Sequence, residues 1–305
     1  MGEDITVSIF MLTYNQENFI AQTIDSILMQ QTNFLYQLVI GEDNSADSTY
    51  LICKAYAEKH PEKIKLLEPL GKNIGLIKNY FRTIKECTGK YIAICDGDDY
   101  WIDEFKLQKQ VDFLERNKEY SIIYTDFNKL YPNGDIKKAV HSFEETTSDF
   151  TDLINNNYIH SVTVLFKNNK DFENLPTWIA KFPYGDWPTY LWLLKDGGKI
   201  YFLDHVTANY RVNIGVSAPI ISENSKLLKV NLQILNCMLL DISFSNRSDL
   251  IKSIILKNKI SLMTSFNREK KLLHAFVQLM HNLIKNRDKL YVLKVYIYSL
   301  RKTFL

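Results

Sequence analysis

Short unbroken apolar runs alternate with helically spaced apolar positions over the first hundred residues. Ile5–Leu12, Leu35–Ile40, Lys63–Leu67 and Tyr91–Cys95 have the length and the β-branched content of buried strands. Between them, Ile20, Ile24, Ile27 and Leu28 recur at helical spacing, with Asn15 placed to cap that helix. A second helix, capped by Ser45 or Asp47, is predicted to run to about His60, before Pro61 starts a turn. A third opens at Asn73-Ile74-Gly75, continues through Glu86, and is closed by Thr88-Gly89. Strand and helix in alternation imply βαβ units, a parallel sheet and right-handed crossovers. The turns after the first, second and fourth strands are all polar. In a parallel sheet they converge on one edge and form a crevice.

The fourth strand ends in Asp96-Gly97-Asp98-Asp99 within the stretch KYIAICDGDDYW. Three carboxylates at the end of a buried strand repel one another and are costly to desolvate without a positive partner. A hard divalent cation such as Mg²⁺ or Mn²⁺ is the simplest such partner. Gly97 lets side chains or a ligand approach the turn closely. A solvated acidic turn is the alternative for this fragment alone.

Downstream, Leu107, Val111 and Leu114 mark a helix with Asp103 near its cap, and Ser121–Phe127 reads as a strand. Asn133-Gly134 suits a hairpin turn. A short helix is expected near Thr151–Asn155 and a strand at Ser161–Phe166, followed by the polar loop Lys167–Glu173. In Phe182-Pro183-Tyr184-Gly185-Asp186-Trp187-Pro188-Thr189, Pro188 suits a first helical turn and sets Asp186 at a helix start beside aromatic rings. From the residues alone, Asp186 is either a cap or a chemical group. Asp196-Gly197-Gly198 stops that helix, and strands are expected at Ile200–Leu203 and Val206–Tyr210. Beyond Ser222 the apolar spacing is helical to the end.

At 305 residues, 46% hydrophobic and 24% charged, the chain has room for one large domain plus an appendage. No run approaches the ~20 apolar residues of a membrane span. Acids near the N-terminus, where a signal peptide would be basic, lead us to expect an intracellular protein. The four cysteines have no CxxC spacing and sit in apolar contexts, as core residues do. The net charge of +2 is uneven: residues 247–305 carry thirteen Lys/Arg and three Asp/Glu, which is +10 and leaves −8 for the remainder. A basic tail on an acidic body suggests an anionic partner, with a solvated helix face as the plainer alternative. No GxGxxG follows a strand, which counts against a dinucleotide-dependent oxidoreductase.

Val7-Ser8-Ile9-Phe10 through Thr13-Tyr14-Asn15, then Val39 to Thr49, Asn73-Ile74-Gly75 with Asn79, Gly89, and Asp96-Gly97-Asp98-Asp99 resemble, in order, the signature of family 2 glycosyltransferases. The resemblance covers about residues 5–218. It implies an α/β fold of GT-A type, a Rossmann-like, mainly parallel sheet flanked by helices, here with a C-terminal helical extension. The implied division is 1–221, with a nucleotide-sugar half (1–101) and an acceptor half (102–221), followed by a basic helical region, 222–305. By the same resemblance Thr13, Tyr14, Asn15 and Asp43 hold the nucleobase, and Glu42 stands where the family usually has another Asp. Lys78, where members often carry Arg, would approach the pyrophosphate, or else is a solvated helix lysine. Asp96 would meet ribose or metal and Asp98 the metal, while Asp99 supports the turn or the metal's water shell. Asp186 would be the catalytic base. Tyr210-Arg211-Val212-Asn213 with Ser217 is similar to the closing Tyr-Arg-x-His…Ser segment, with Asn213 in place of His; Arg211 would bind the nucleotide-sugar or serve as a structural ion-pair partner.

The implied reaction is one in-line displacement at the anomeric carbon with inversion, from a nucleotide-diphosphate sugar, a UDP-sugar foremost. The acceptor would be a glycan or lipid-linked molecule of bacterial surface polysaccharide or glycolipid assembly, and Mn²⁺ or Mg²⁺ the cofactor. No nucleic-acid partner is expected. A sugar nucleotidyltransferase should show a glycine-rich basic loop after the first strand, and LTYNQEN is neither. A non-catalytic module on a degenerate transferase domain is opposed by Asp43, Asp96, Asp98 and Asp186 all being present. A cytoplasmic location is expected, with Leu290–Leu305 packing as structure, self-associating, or lying on the inner face of the membrane.

Overall fold

The computed structural model describes residues 4–139, 145–168, 172–214 and 223–304. Its centre is β1 (Val7–Thr13), buried at every position. Val7, Ile9 and Met11 point into one core with Ile20, Ile24 and Ile27 of α1 (Ile20–Leu28) and with Tyr36, Leu38 and Ile40 of β2 (Tyr36–Glu42). On the other side the ring of Phe10 meets Tyr80 of α3 (Leu76–Lys85), with centroids 5.0 Å apart. A strand covered on both faces has no polar side, which is why its sequence is an unbroken apolar run.

β2 carries the parallel partner β3 (Ile64–Leu66) across α2 (Thr49–Lys59), and β4 (Tyr91–Ile94) runs parallel to β1 on its other side. The strand order is therefore β3-β2-β1-β4, reversing direction between β1 and β4. Such a switch point leaves a crevice outside the carboxyl ends of the two central strands.

The second half extends the same sheet. β5 (Tyr100–Trp101) leads to α4 (Lys106–Arg116) and β6 (Tyr120–Leu130), whose hairpin partner is β7 (Ile136–Lys138) about the Asn133-Gly134 turn. β8 (Thr147–Ser148) and the short helix α5 (Phe150–Leu153) follow. The expected strand Ser161–Phe166 is instead a 3₁₀ turn at Ser161–Thr163 and then β9 (Leu165–Lys167), antiparallel to both β4 and β6. The two strands expected at 200–203 and 206–210 are one, β10 (Lys199–Arg211), with register irregularities where Asp204-His205 bulges from the ladder with β6. α6 (Asp186–Leu193) precedes β10 and is buried along nearly its whole length.

The chain divides into two compact units, 1–216 and 217–305. The expected boundary at 221/222 and Ser217 lie outside the described residues. In the second unit α7 (Asn224–Leu240), α8 (Ser248–Arg268), α9 (Leu272–Lys285) and α10 (Lys289–Phe304) enclose a small core of Met263, Leu279 and Val292. Polar contacts tie it together: Ser225 Oγ donates to Glu269 at 2.6 Å, and Asn267 Nδ2 to Ser299 Oγ at 2.7 Å.

Candidate active site

Three turns meet at the crevice. After β1, Thr13 Oγ1 donates to Gln16 Oε1 at 2.7 Å, and Tyr14 is exposed. Asn15 does not cap α1, which starts five residues later. It sits in the left-handed region (φ 52°) and staples two loops, its N–H donating to Ser45 Oγ at 2.9 Å while its Oδ1 accepts from Ala46 N at 2.8 Å. Asparagine tolerates that conformation because its short polar side chain bonds locally.

The turn after β2 is built by its own carboxylates. Glu42, buried, accepts from Asn44 N at 3.0 Å and Ser45 N at 2.7 Å. Asp43 reaches across to the start of α3, accepting from Ile74 N at 2.8 Å and Gly75 N at 2.9 Å. It satisfies two donors that the helix start leaves open, in the favourable field of the helix N-terminus. Gly75 makes this possible by taking φ 86° with open space where a side chain would be. Lys78, one turn further on, is exposed.

The Asp96–Asp99 turn is organised oppositely. Gly97 N donates to Leu12 O at 2.9 Å, and a Cβ on Gly97 would collide with Thr13 Oγ1 at 2.8 Å and with Gln16, so only glycine lets this loop lie on the β1 turn. Thr23 of α1, fully buried, donates its hydroxyl to Asp99 O at 2.7 Å. Asp99 Oδ1 accepts from Arg211 N at 2.8 Å. Arg211, also buried, donates to the Asp98 carbonyl and to Gln22 Oε1, with its guanidinium between the rings of Phe19 (4.7 Å) and Tyr100 (4.9 Å). In this arrangement Arg211 braces the acidic turn through a carbonyl.

The remaining carboxylates have little of their own. Asp96 is half-buried; its carboxylate accepts a long hydrogen bond from Ser161 Oγ at 3.4 Å, and the Leu12 backbone also hydrogen-bonds it. Loss of solvent, then the charges of Asp98 and Asp186, push its pKa up to about 7. Desolvation also raises Asp98, against the nearby Arg211 charge, and raises Asp99 well above the carboxylate range. Asp186 is the first residue of α6, and backbone hydrogen bonds at the helix start, from its own N–H and that of Trp187, act on its carboxylate. Asn157 Nδ2 donates to Asp186 Oδ2 at 3.1 Å, while desolvation raises the Asp186 pKa. The Tyr190 hydroxyl, buried in α6, has no hydrogen-bond partner among the described residues and lies within the fields of Asp186 and Asp96.

No three Asp, Glu, His or Cys residues converge on one point among the described residues. Asp96 and Asp98 together nevertheless fit Mg²⁺ or Mn²⁺, which take one or two protein carboxylates and complete their shell with phosphate oxygens and water.

The structure thus brings Thr13, Asp96, Asp98 and Asp186 to one crevice, turns Asn15, Glu42 and Asp43 into the frame of its wall, and makes Arg211 a brace. Sequence reasoning missed Asn157, Ser161 and Thr23. Only Thr23 carried a signal: it lies on the buried stripe of α1, between Ile20 and Ile27, where a polar residue needs a buried partner.

A parallel sheet with a switch-point crevice, a carboxylate pair at one strand end and a third carboxylate facing it defines a GT-A glycosyltransferase scaffold. The chain belongs to glycosyl transferase family 2, whose model matches residues 8–172. It is 30% identical to the putative teichuronic acid biosynthesis glycosyltransferase TuaG of Bacillus subtilis, over 70% of this chain and 81% of that one. It is 29% identical to the UDP-Glc:alpha-D-GlcNAc-diphosphoundecaprenol beta-1,3-glucosyltransferase WfgD of Escherichia coli, over 64% and 72%. It also matches an uncharacterized protein, Rv1520, of Mycobacterium tuberculosis at 31% over 67% of this chain, and spans 58% of that relative's length. The fold superposes on S. aureus TarS 1-349 in complex with UDP with a TM-score of 0.62 at 17% identity, over 98% of this chain and 90% of that one. Mannosyltransferase PcManGT from Pyrobaculum calidifontis, in complex with GDP-Man and Mn²⁺, gives 0.59 at 16%, over 99% and 88%.

Proposed function

We propose that this protein transfers a sugar from a nucleotide-diphosphate donor, a UDP-sugar foremost, to an acceptor hydroxyl with inversion at the anomeric carbon. The observation that carries the reading is the Asp96–Asp99 turn lying against the β1 turn at the carboxyl end of β4, with Asp186 at the start of α6 near enough to raise the Asp96 pKa. Asp98 and Asp96 would hold Mn²⁺ or Mg²⁺, which when bound supplies positive charge against the departing diphosphate. That S. aureus TarS has been crystallised with UDP, and PcManGT with GDP-Man and Mn²⁺, supports a nucleotide-sugar donor and a metal. The names of TuaG and WfgD support a surface-polysaccharide or lipid-linked acceptor.

In the step itself the acceptor oxygen bonds to the anomeric carbon as the carbon–oxygen bond to the diphosphate breaks, and that electron pair leaves on the diphosphate. Asp186 takes the acceptor proton on its carboxylate, which Asn157 orients through Oδ2. Desolvation makes Asp186 a stronger proton acceptor than a solvated carboxylate. One displacement with one base gives inversion. Glu42 and Asp43 hold the loop that presents Thr13 and Tyr14 to the nucleoside, so their contribution to donor binding runs through the wall they build.

Asp186→Asn keeps the size of the side chain but cannot take the proton. Transfer should fall by about 10²–10⁴ while donor affinity, read by thermal shift with UDP-sugars and Mn²⁺, stays close to wild type. Transfer near the wild-type rate would place the base elsewhere.

A further inference from the structure

The second unit presents apolar surface that its own core does not use. On α9, Ala275, Leu279 and Asn282 are buried. Leu273, Phe276, Val277, Met280 and Ile284 are all exposed, Leu273 and Ile284 by 74% and 73%. At 100° per residue these five fall within one stripe about 100° wide, opposite the buried face. A stripe of this kind is not scattered exposure but a continuous surface that something covers. α10 repeats the arrangement: Val292 and Ser299 are buried, and Leu290, Leu293, Ile297 and Phe304 are exposed along one edge. Lys294 and Arg301 flank that edge, with Tyr291 and Tyr298 beyond them, all exposed. α9 and α10 pack against each other and both against α8.

Charge selects the occupant. From Lys270 to the end there are eight Lys/Arg and one acid, Asp288. A second copy of this chain on the same face would bring like charges together around a two-fold contact. A surface of acyl chains under anionic headgroups meets both features, taking the apolar stripe below and the basic flank at headgroup level. Tyrosine rings, apolar in body and polar at the tip, suit the boundary between the two. No single helix among the described residues is long and apolar enough to cross a membrane, so these helices would lie in its plane. We infer that α9 and α10 form an interfacial docking surface for an anionic lipid bilayer.

The test is flotation of the full chain with vesicles of phosphatidylcholine alone or mixed with phosphatidylglycerol, at low and high salt. The protein should float with the mixed vesicles only, and less as salt rises. Phe276→Ser with Met280→Ser, and separately Lys294→Glu with Arg301→Glu, should each lower partitioning at least about tenfold. All four side chains are exposed, so the circular dichroism and melting of both variants should match wild type. Absence of phosphatidylglycerol-dependent flotation, or flotation of both variants at the wild-type level, would overturn the inference. A wild-type dimer converted to monomer by Phe276→Ser/Met280→Ser, without vesicle binding, would assign the face to a second copy instead.

Discussion

Two acidic turns flank the end of β1 at the carboxyl ends of parallel strands, and they use their carboxylates in opposite ways. After β2, Glu42 and Asp43 each accept two backbone N–H bonds. After β4, the Asp96 carboxylate meets Ser161 at long range and the Leu12 backbone, and the Asp98 backbone carbonyl, not its carboxylate, receives Arg211. Desolvation lifts the pKa values of the second turn. Acidic residues at a strand end therefore do not by themselves mark a ligand site. The carboxylates that accept two backbone bonds within the fold build it; those that are desolvated with fewer partners are the candidates for a cation.

The sharpest way to break this comparison is to make the same change, carboxylate to amide, in both turns. Asp98→Asn should lower metal-dependent transfer by about 10³ or more, removing a ligand and half of the site's charge. Melting in EDTA should be unchanged or higher, since the substitution removes a desolvated charge. A large fall in stability with activity retained would make this turn structural as well. Asp43→Asn should do the reverse. An amide can accept from only one of Ile74 N and Gly75 N and turns a donor toward the other, at a cost of about 1–3 kcal/mol in unfolding free energy by denaturant titration. Transfer by the fraction that stays folded should fall much less than in Asp98→Asn.

A pH titration sharpens the same contrast. The folded-state pKa of Asp96, about 7, lies above its value in an unfolded chain. Between the two, the folded protein holds a proton that the unfolded chain has released. Asp96 therefore lowers the stability of the metal-free protein as pH rises from about 4 to about 7, and the loss is complete above that. Asp96→Asn should remove this slope, so that in EDTA its melting temperature gains on wild type by a few degrees across the window. Mn²⁺ should close the gap by stabilising the wild-type carboxylate. A difference that does not vary with pH would mean that Asp96 is solvated.

The alternation of strand and helix, the switch-point crevice and the Asp-Gly-Asp-Asp turn were legible because each rests on local patterning. What was not legible depends on strands that meet across long separations. Asn157 and Ser161 come from a segment with no periodicity, and reach Asp186 and Asp96 only because β9 is inserted antiparallel between β4 and β6. The split expected within Lys199–Arg211 reflects Asp204-His205, polar residues that read as a turn but are absorbed as a bulge. Asn15 failed as a cap because its backbone is left-handed and its side chain serves the neighbouring loop. Nor could sequence show that Glu42 is wholly engaged: a longer acid at that place looks like a ligand-binding variant until its oxygens are seen on Asn44 and Ser45.

Glu42 yields the smallest effect and the finest cut. Its carboxylate is buried and closes its own turn, with bonds at 3.0 and 2.7 Å to N–H groups two and three residues on. Glu42→Gln keeps the length and one acceptor, so one of those bonds survives and the other meets an amide N–H. The turn is local and its backbone can adjust, so the cost should be about 1 kcal/mol, below that for Asp43→Asn, where the lost bond spans two separate loops. If Glu42 acts only through the turn, the KM for the donor should rise with the loosening of the Asn15–Ser45 contact, and kcat should hold. Glu42→Asp, whose arm is one methylene shorter, should then do worse than Gln, because its carboxylate cannot stand where Glu42 meets both N–H groups, one with each oxygen, without moving the turn. If Asp restores or improves donor binding over Glu, the carboxylate touches the nucleotide directly, and the division between wall-building and ligand-binding acids fails at this residue.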